Sequence, residues 1–372
     1  MNRLVTSESV TGGHPDKLCD QISDGVLDAI LAQDRDARVA VEAAAKDGTI
    51  WVFGETATRA TIDVRAVVQE VLRTNGYTDP SAGITADTVG VQVSISRQSP
   101  DIALGVDAQD HLTAGAGDQG LMIGYATREA AGLMPLPLYL ARELTDALRY
   151  YREQGRYAWL RPDGKAQVTV RYINGEPEEV TSVVISAQHT ADVSLAEVRE
   201  TLRAIAERVI PEHLLTEDTA YHLNPTGRFV IGGPIGDAGL TGRKIIVDTY
   251  GGATRHGGGA FSGKDPSKVD RTGAYAARWI AKSIVESGHA KRAEVELAYA
   301  IGVAQPVALA VETFGKAKDR ELEKHIAATI DLRPGAIIER LGLKSVKYQP
   351  CARGGHFGRI DLDLPWEQPV KI

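Results

Sequence analysis

The sequence predicts an α+β protein of three similar modules whose sheets are covered by helices. An order of helix, strand pair and helix recurs in each third of the chain. Two of the strand pairs turn at hairpin dipeptides, Asp47-Gly48 and Asn174-Gly175. With 372 residues, 43% hydrophobic and 24% charged, the chain is long enough for several modules around a substantial core.

In the first third, Leu18, Ile22, Val26, Ala29 and Ile30 mark a helix. It opens at His14-Pro15-Asp16, with proline at the first helical position and a carboxylate in the first turn. Alternating strands follow over 38–46 and 49–56. Val64, Val67, Val68, Val71 and Leu72 then mark a second helix, ended near Gly76, and Val89 to Ile95 read as a further strand. In the middle third a helix carries Leu140, Leu144 and Leu148. Strands over 167–173 and 180–188 come next, then a helix with Leu195, Val198, Leu202 and Ile205. The last third has a helix over 269–285, strands over 294–302 and 307–314, and a helix over 319–330. Module limits of 1–100, 112–228 and 229–372 are expected.

Forty-two basic against 49 acidic residues give a formal charge of −7, so no polybasic surface for nucleic acid or anionic membrane is expected. Cys19 and Cys351 are too few for a disulfide framework or a zinc site. No segment reads as a signal peptide or membrane span, which points to the cytoplasm.

Glycine-rich stretches at 115–120, 232–244 and 249–272 lie between the repeats. Gly115, Gly117 and Gly120 match a dinucleotide fingerprint, but no strand is expected directly before them. Gly258, Gly263 and Lys264 match the core of a P-loop. Asp265 then stands where a Ser or Thr is needed, and the nearest expected strand, 244–250, ends too early. Neither site is expected. Yet flexible backbone here is interleaved with Arg243, Lys244, Arg255, His256, Lys264 and Lys268, a pattern suited to a polyanion. Asp265 reads as a helix cap, while Asp16 and Asp270 suit Mg²⁺, which takes one or two carboxylates together with phosphate oxygens. His14 beside Asp16 is placed to contact phosphate. Glu42 and Glu55 lie on a strand face that is equally readable as solvated. No nucleophile–base arrangement is evident. The segment 97–116 lacks periodicity and reads as a gating loop.

These stretches resemble a known family. "GHPDKLCDQISD", "GAGDQGLMIGYAT", "GRFVIGGPIGDAGLTGRKIIVDTYGG", "HGGGAFSGKDPSKVDR" and "WLRPDGK" are similar to motifs of the S-adenosylmethionine synthases of bacteria and eukaryotes, and the likeness runs from Thr6 to about Trp366. The resemblance implies three modules about a pseudo-threefold axis, and a homodimer or homotetramer with active sites between subunits. It implies ATP and L-methionine as substrates, with two Mg²⁺ per site and K⁺ as cofactors.

By the same resemblance, His14, Lys165, Arg243, Lys244 and Lys264 surround the phosphates, and Asp118 lies near the nascent sulfonium. Asp163, Gly164, Arg228, Phe229, Asp237 and Ala260 complete the ATP contacts. Glu55, Gln98, Asp237 and Lys268 contact methionine, Asp16 and Asp270 hold Mg²⁺, and Glu42 holds K⁺. Three stretches depart from the commoner pattern. Thr11-Gly12-Gly13 lacks an acidic residue, Val41-Glu42-Ala43 replaces Cys-Glu-Thr, and 351–359 carries Arg353 in place of an Ala-Ala-Tyr version.

Overall fold

The computed structural model describes residues 2–98, 114–315 and 318–372. Its strands are β1 (Arg3–Val10), β2 (Arg38–Lys46), β3 (Thr49–Ala57), β4 (Gly90–Arg97), β5 (Gly120–Thr127), β6 (Leu160–Ile173), β7 (Glu176–His189), β8 (Ala220–Leu223), β9 (Gly239–Leu240), β10 (Arg292–Tyr299) and β11 (Ala308–Glu312). The helices are α1 (Pro15–Leu31), α2 (Val64–Thr74), α3 (Leu136–Glu153), α4 (Leu195–Val209), α5 (Gly233–Gly236), α6 (Ile245–Asp248), α7 (Val269–Glu286), α8 (Asp319–Thr329), α9 (Pro334–Arg340) and α10 (Gln349–Gly354). The expected hairpins and long helices are all present. Asp47 and Asn174 take left-handed φ of 52° and 54° at the two hairpin bends.

The sheets are not confined to the sequence modules. Their orders are β4-β3-β2-β9, β1-β6-β7-β8 and β11-β10-β5. Each antiparallel hairpin therefore receives, on its first strand, a strand from a different third of the chain. β9 pairs with β2, β1 with β6 and β5 with β10. The exchange is cyclic, and it locks the three thirds together through backbone hydrogen bonds. Of the exchanged strands, β1 was hidden by its Ser-Glu-Ser polarity, while β5 and β9 lie inside glycine clusters that read as connections.

Two hydrophobic clusters carry the packing. One lies between the β1-β6-β7-β8 sheet and α3 and α4, around Leu144, Val168, Ile185 and Leu202. The other joins the remaining sheets through α1, α2 and α7, with Ile22, Val52, Tyr275 and Trp366 fully buried. No helix among the described residues is long and apolar enough to cross a membrane.

Three local expectations are corrected. Residues 245–248 form the one-turn helix α6 rather than a strand. Thr249 donates to the Ile245 carbonyl, and Arg142 caps the Val247 and Thr249 carbonyls, so side chains override the β-branched run. Asp265 does not cap a helix: α7 starts at Val269, after Lys268, with no side-chain cap. Asp265 instead accepts the Val39 N–H at 2.7 Å and the Ser267 N–H at 2.9 Å, which ties the loop to β2. The glycine fingerprint at 115–120 leads into strand β5, not a helix. Of the expected gating segment, 99–113 lie outside the described residues.

Candidate active site

Helix α1 organises the site through a row of aspartates. Asp16, Asp20, Asp24 and Asp28 recur every fourth residue, one helical turn apart on one side. Each receives backbone N–H groups from a distant segment: Leu240 at 3.0 Å, Gly242 at 2.8 Å, Gly263 at 2.8 Å, and both Tyr348 and Gln349 at 2.9 and 3.0 Å. The row thus gathers both long glycine-rich segments onto one helix. β2 completes the docking along one edge, where Ala43 pairs with Thr241 and Val41 with Gly263. Gly263 has φ +79°, and a Cβ there would come within 1.8 Å of the Val41 carbonyl oxygen, so only glycine permits this approach.

A first cluster forms around His14 and Asp16. His14 is the N-cap of α1, and its Nδ1 accepts the Asp16 N–H at 3.2 Å, which leaves Nε2 as a donor. Burial, then the charges of Lys244 and Lys165, pull its pKa down to about 3, so the ring is neutral at pH 7. Burial opposes ionisation of Asp16, but the Lys244 hydrogen bond at 2.5 Å and the Leu240 N–H outweigh it and hold the carboxyl below its usual range. Arg243 Nε lies 3.7 Å from the same carboxylate. Lys165 on β6 stands opposite Val10, just before the 11–14 turn, whose Thr11 N–H donates to the Gly164 carbonyl at 2.9 Å. Asp163 accepts the Gly233 N–H at 2.8 Å, and burial raises its pKa to about 6. The ring of Phe229 lies against Gly232, with a virtual Cβ 2.9 Å from its Cε2; Arg228 is exposed beside it, as is Asp237 after α5.

A second cluster forms at the start of α7. Lys264 pairs with Asp270 at 2.7 Å, and Lys268 with the buried Asp265. Gly259 and Gly120 back onto Asp270: a Cβ would lie 2.3 and 3.5 Å from its Oδ1. Asp118 is exposed just before β5. Ala260 links the two clusters, because a Cβ on Gly242 would sit 2.8 Å from its methyl. On the open face of the first sheet, Glu42 is exposed between the two docked segments, and Glu55 lies opposite Ala40, which bridges to Lys264. Gln98 follows β4, its N–H donating to Thr56 at 3.1 Å.

No hydrogen bond or ion pair joins Asp237, Glu55, Gln98 and Lys268 to one another among the described residues. Asp16 and Asp270 belong to separate lysine pairs, and no group of three metal-ligating side chains occurs among the described residues. That donor set fits a cation held by single carboxylates together with substrate oxygens.

Sequence reasoning missed the polar core beneath the first cluster. Lys17 is fully buried and bonds Asp20 at 3.0 Å and Asp248 at 2.5 Å. Burial raises Asp20 to a pKa of about 7, against the pull of Lys17. The four-residue period of aspartates in a helix with apolar Leu18, Ile22 and Val26 was the available signal. Arg353 also finds its place: a Cβ on Gly12 would lie 2.9 Å from its Cγ. The departures at 11–13 and 351–359 thus pack against each other.

Helix-covered sheets that exchange strands, with two lysine–carboxylate clusters on glycine-rich backbone, make this an α+β protein of three interlocked parts. Sequence profiles of S-adenosylmethionine synthetase match the chain in three parts: the N-terminal domain over 2–100, the central domain over 113–229 and the C-terminal domain over 231–368. The chain belongs to the S-adenosylmethionine synthetase family, whose members are methionine adenosyltransferases. It is 52% identical to the S-adenosylmethionine synthase of Clostridium botulinum (strain Alaska E43 / Type E3), with 100% of this chain and 98% of that protein covered. It is 54% identical to that of Desulforudis audaxviator (strain MP104C), with 98% and 95% covered.

Proposed function

We propose that the chain forms S-adenosylmethionine from ATP and L-methionine and hydrolyses the released triphosphate to phosphate and diphosphate. The observation that carries this reading is the pair of lysine–carboxylate clusters on glycine-rich backbone, with no nucleophile–base pair beside them among the described residues. The methionine sulfur uses a lone pair to form a bond to C5′ of ATP, and the C5′–O bond breaks with its electrons leaving on the triphosphate. A thioether has no proton to lose, so no general base is needed. The requirement is orientation of sulfur and carbon and dispersal of leaving-group charge.

In this reading His14, Lys165, Arg243, Lys244 and Lys264 surround the phosphates, and Phe229 with Arg228, Ala260, Asp163 and Gly164 seats the nucleoside. Glu55, Gln98, Asp237 and Lys268 take methionine, and Asp118 faces the sulfonium. Asp16 and Asp270 would hold Mg²⁺, which screens the phosphate charge when bound, and Glu42 would take K⁺. In the same reading the active site is completed by a second copy of the chain. The open sheet face with Trp51 and Phe53, 41% and 36% exposed, suits that contact. Modules at 1–100, 112–228 and 229–372 about a pseudo-threefold axis, and a cytoplasmic location, belong to the same reading.

ATP labelled with heavy oxygen at the 5′ bridging position tests it. The label should appear in inorganic phosphate or diphosphate, with none in the adenosyl product. Methionine-dependent formation of labelled AMP or ADP would show phosphoryl or adenylyl transfer and sink the proposal.

A further inference from the structure

Two polar side chains of the stretch 255–260 remain outside this reading, Arg255 and His256. Arg255 is accounted for. Its guanidinium pairs with Glu294 at 2.5 Å and Glu296 at 3.0 Å on β10, so it anchors the loop to the third sheet. His256 is not. It begins the run His-Gly-Gly-Gly-Ala at 256–260, in which it is the one side chain with polar atoms.

The loop at this point has little freedom. A Cβ on Gly257 would fall 1.6 Å from the Leu121 carbonyl oxygen of β5, and one on Gly259 would fall 2.3 Å from Asp270 Oδ1. The run is therefore pressed between β5 and the carboxylate of the second cluster. His256 and Asp270 line the same small cleft. The Gly258 N–H donates to His256 Nδ1 at 2.7 Å, so the proton of the neutral ring is on Nε2. This repeats the arrangement at His14, whose Nδ1 accepts the N–H of the residue two positions on. Each cluster thus holds the same three parts: a histidine with its tautomer set by the following turn, an aspartate, and a lysine paired with that aspartate.

We propose that His256 is a second neutral hydrogen-bond donor to the triphosphate, acting on the Lys264–Asp270 side as His14 acts on the Lys244–Asp16 side. The proposal rests on the polyphosphate reading of the site given above. A neutral donor fits this position because it binds phosphate oxygen through Nε2–H without competing with Lys264 for the Asp270 carboxylate. Burial lowers the His256 pKa, against the opposing charges of Asp248 and Asp270, which keeps the ring in that neutral form. The ligand class is an inorganic polyphosphate, free or as part of a nucleotide.

The test is calorimetric titration of the full-length protein with non-hydrolysable diimidotriphosphate in the presence of Mg²⁺. It compares wild type with His256→Gln, His256→Phe and His256→Ala, each checked for thermal unfolding. Removal of the donor in Ala or Phe should weaken binding about 10–100-fold, the range for a hydrogen bond to a charged group. Glutamine, which offers an amide N–H at similar reach, should stay within about threefold of wild type. The KM for methionine should not move. Wild-type affinity in the Phe variant would overturn the proposal, as would a Gln variant as weak as Phe at an unchanged unfolding temperature. Failure of the wild type itself to bind would instead remove the polyphosphate reading.

Discussion

Lys165 and Arg243 reach the first cluster from different elements, β6 and the loop after β9, and among the described residues neither has a strong ion pair of its own. Arg243 stands 3.7 Å from Asp16, while Lys244 takes the close contact. Their charges therefore remain available to a polyanion, and they are already in place before it arrives. Replacing either with alanine should lower turnover by about 10²–10³-fold, as for other preorganised electrostatic groups. Methionine binding should change little. Steady-state kinetics with each substrate varied checks the split, and a variant with near-full turnover would take that residue out of the mechanism.

At the scale of elements, α1 acts as a spine. Fifteen of its 17 residues are buried, and its four aspartates hold segments that are far apart in sequence. Asp28 closes the row by accepting two N–H groups at the start of α10. Burial raises its pKa from 3.8 to about 6. Between those values the folded chain holds more protons at this site than the unfolded chain, so its contribution to stability falls as pH rises from about 4 to about 6. Relative to Asp28→Asn, which does not titrate, wild type should lose about 3 kcal/mol across that window and then level off. Urea unfolding of both proteins at several pH values measures the difference. Parallel curves would show that Asp28 ionises as it does in water.

For the molecule as a whole, the cyclic exchange of β1, β5 and β9 makes the three thirds interdependent. The first sheet packs α1 and α2 on one face and leaves Trp51, Phe53 and Leu240 exposed on the other. Glu42 and Glu55 lie on that same open face. If a second copy covers it and completes the methionine contacts, Trp51→Glu should yield monomers by light scattering and abolish turnover, without lowering helix content. A fully active Trp51→Glu monomer would contradict a shared site.

The sequence by itself determined the local elements and the charged residues that make up the clusters. Periodicity placed α1, α2, α4 and α7, and dipeptides with left-handed propensity placed the bends at Asp47 and Asn174. Cations among glycines, with Asp16 and Asp270 near helix starts, marked the segments that form the two lysine–carboxylate clusters, because each signal is local in the chain. Pairing across the chain was not legible. Residues 245–248 turned into a helix because Arg142, about a hundred positions away, caps their carbonyls. Asp265 became a tie to β2 because Val39 needed an acceptor there. β1 and β9 carry no strand pattern strong enough to be read alone, since their partners supply the hydrogen bonds that make them strands. Tertiary structure alone decided which loops meet at Asp16 and Asp270, because that choice is made by buried N–H groups seeking acceptors across the fold.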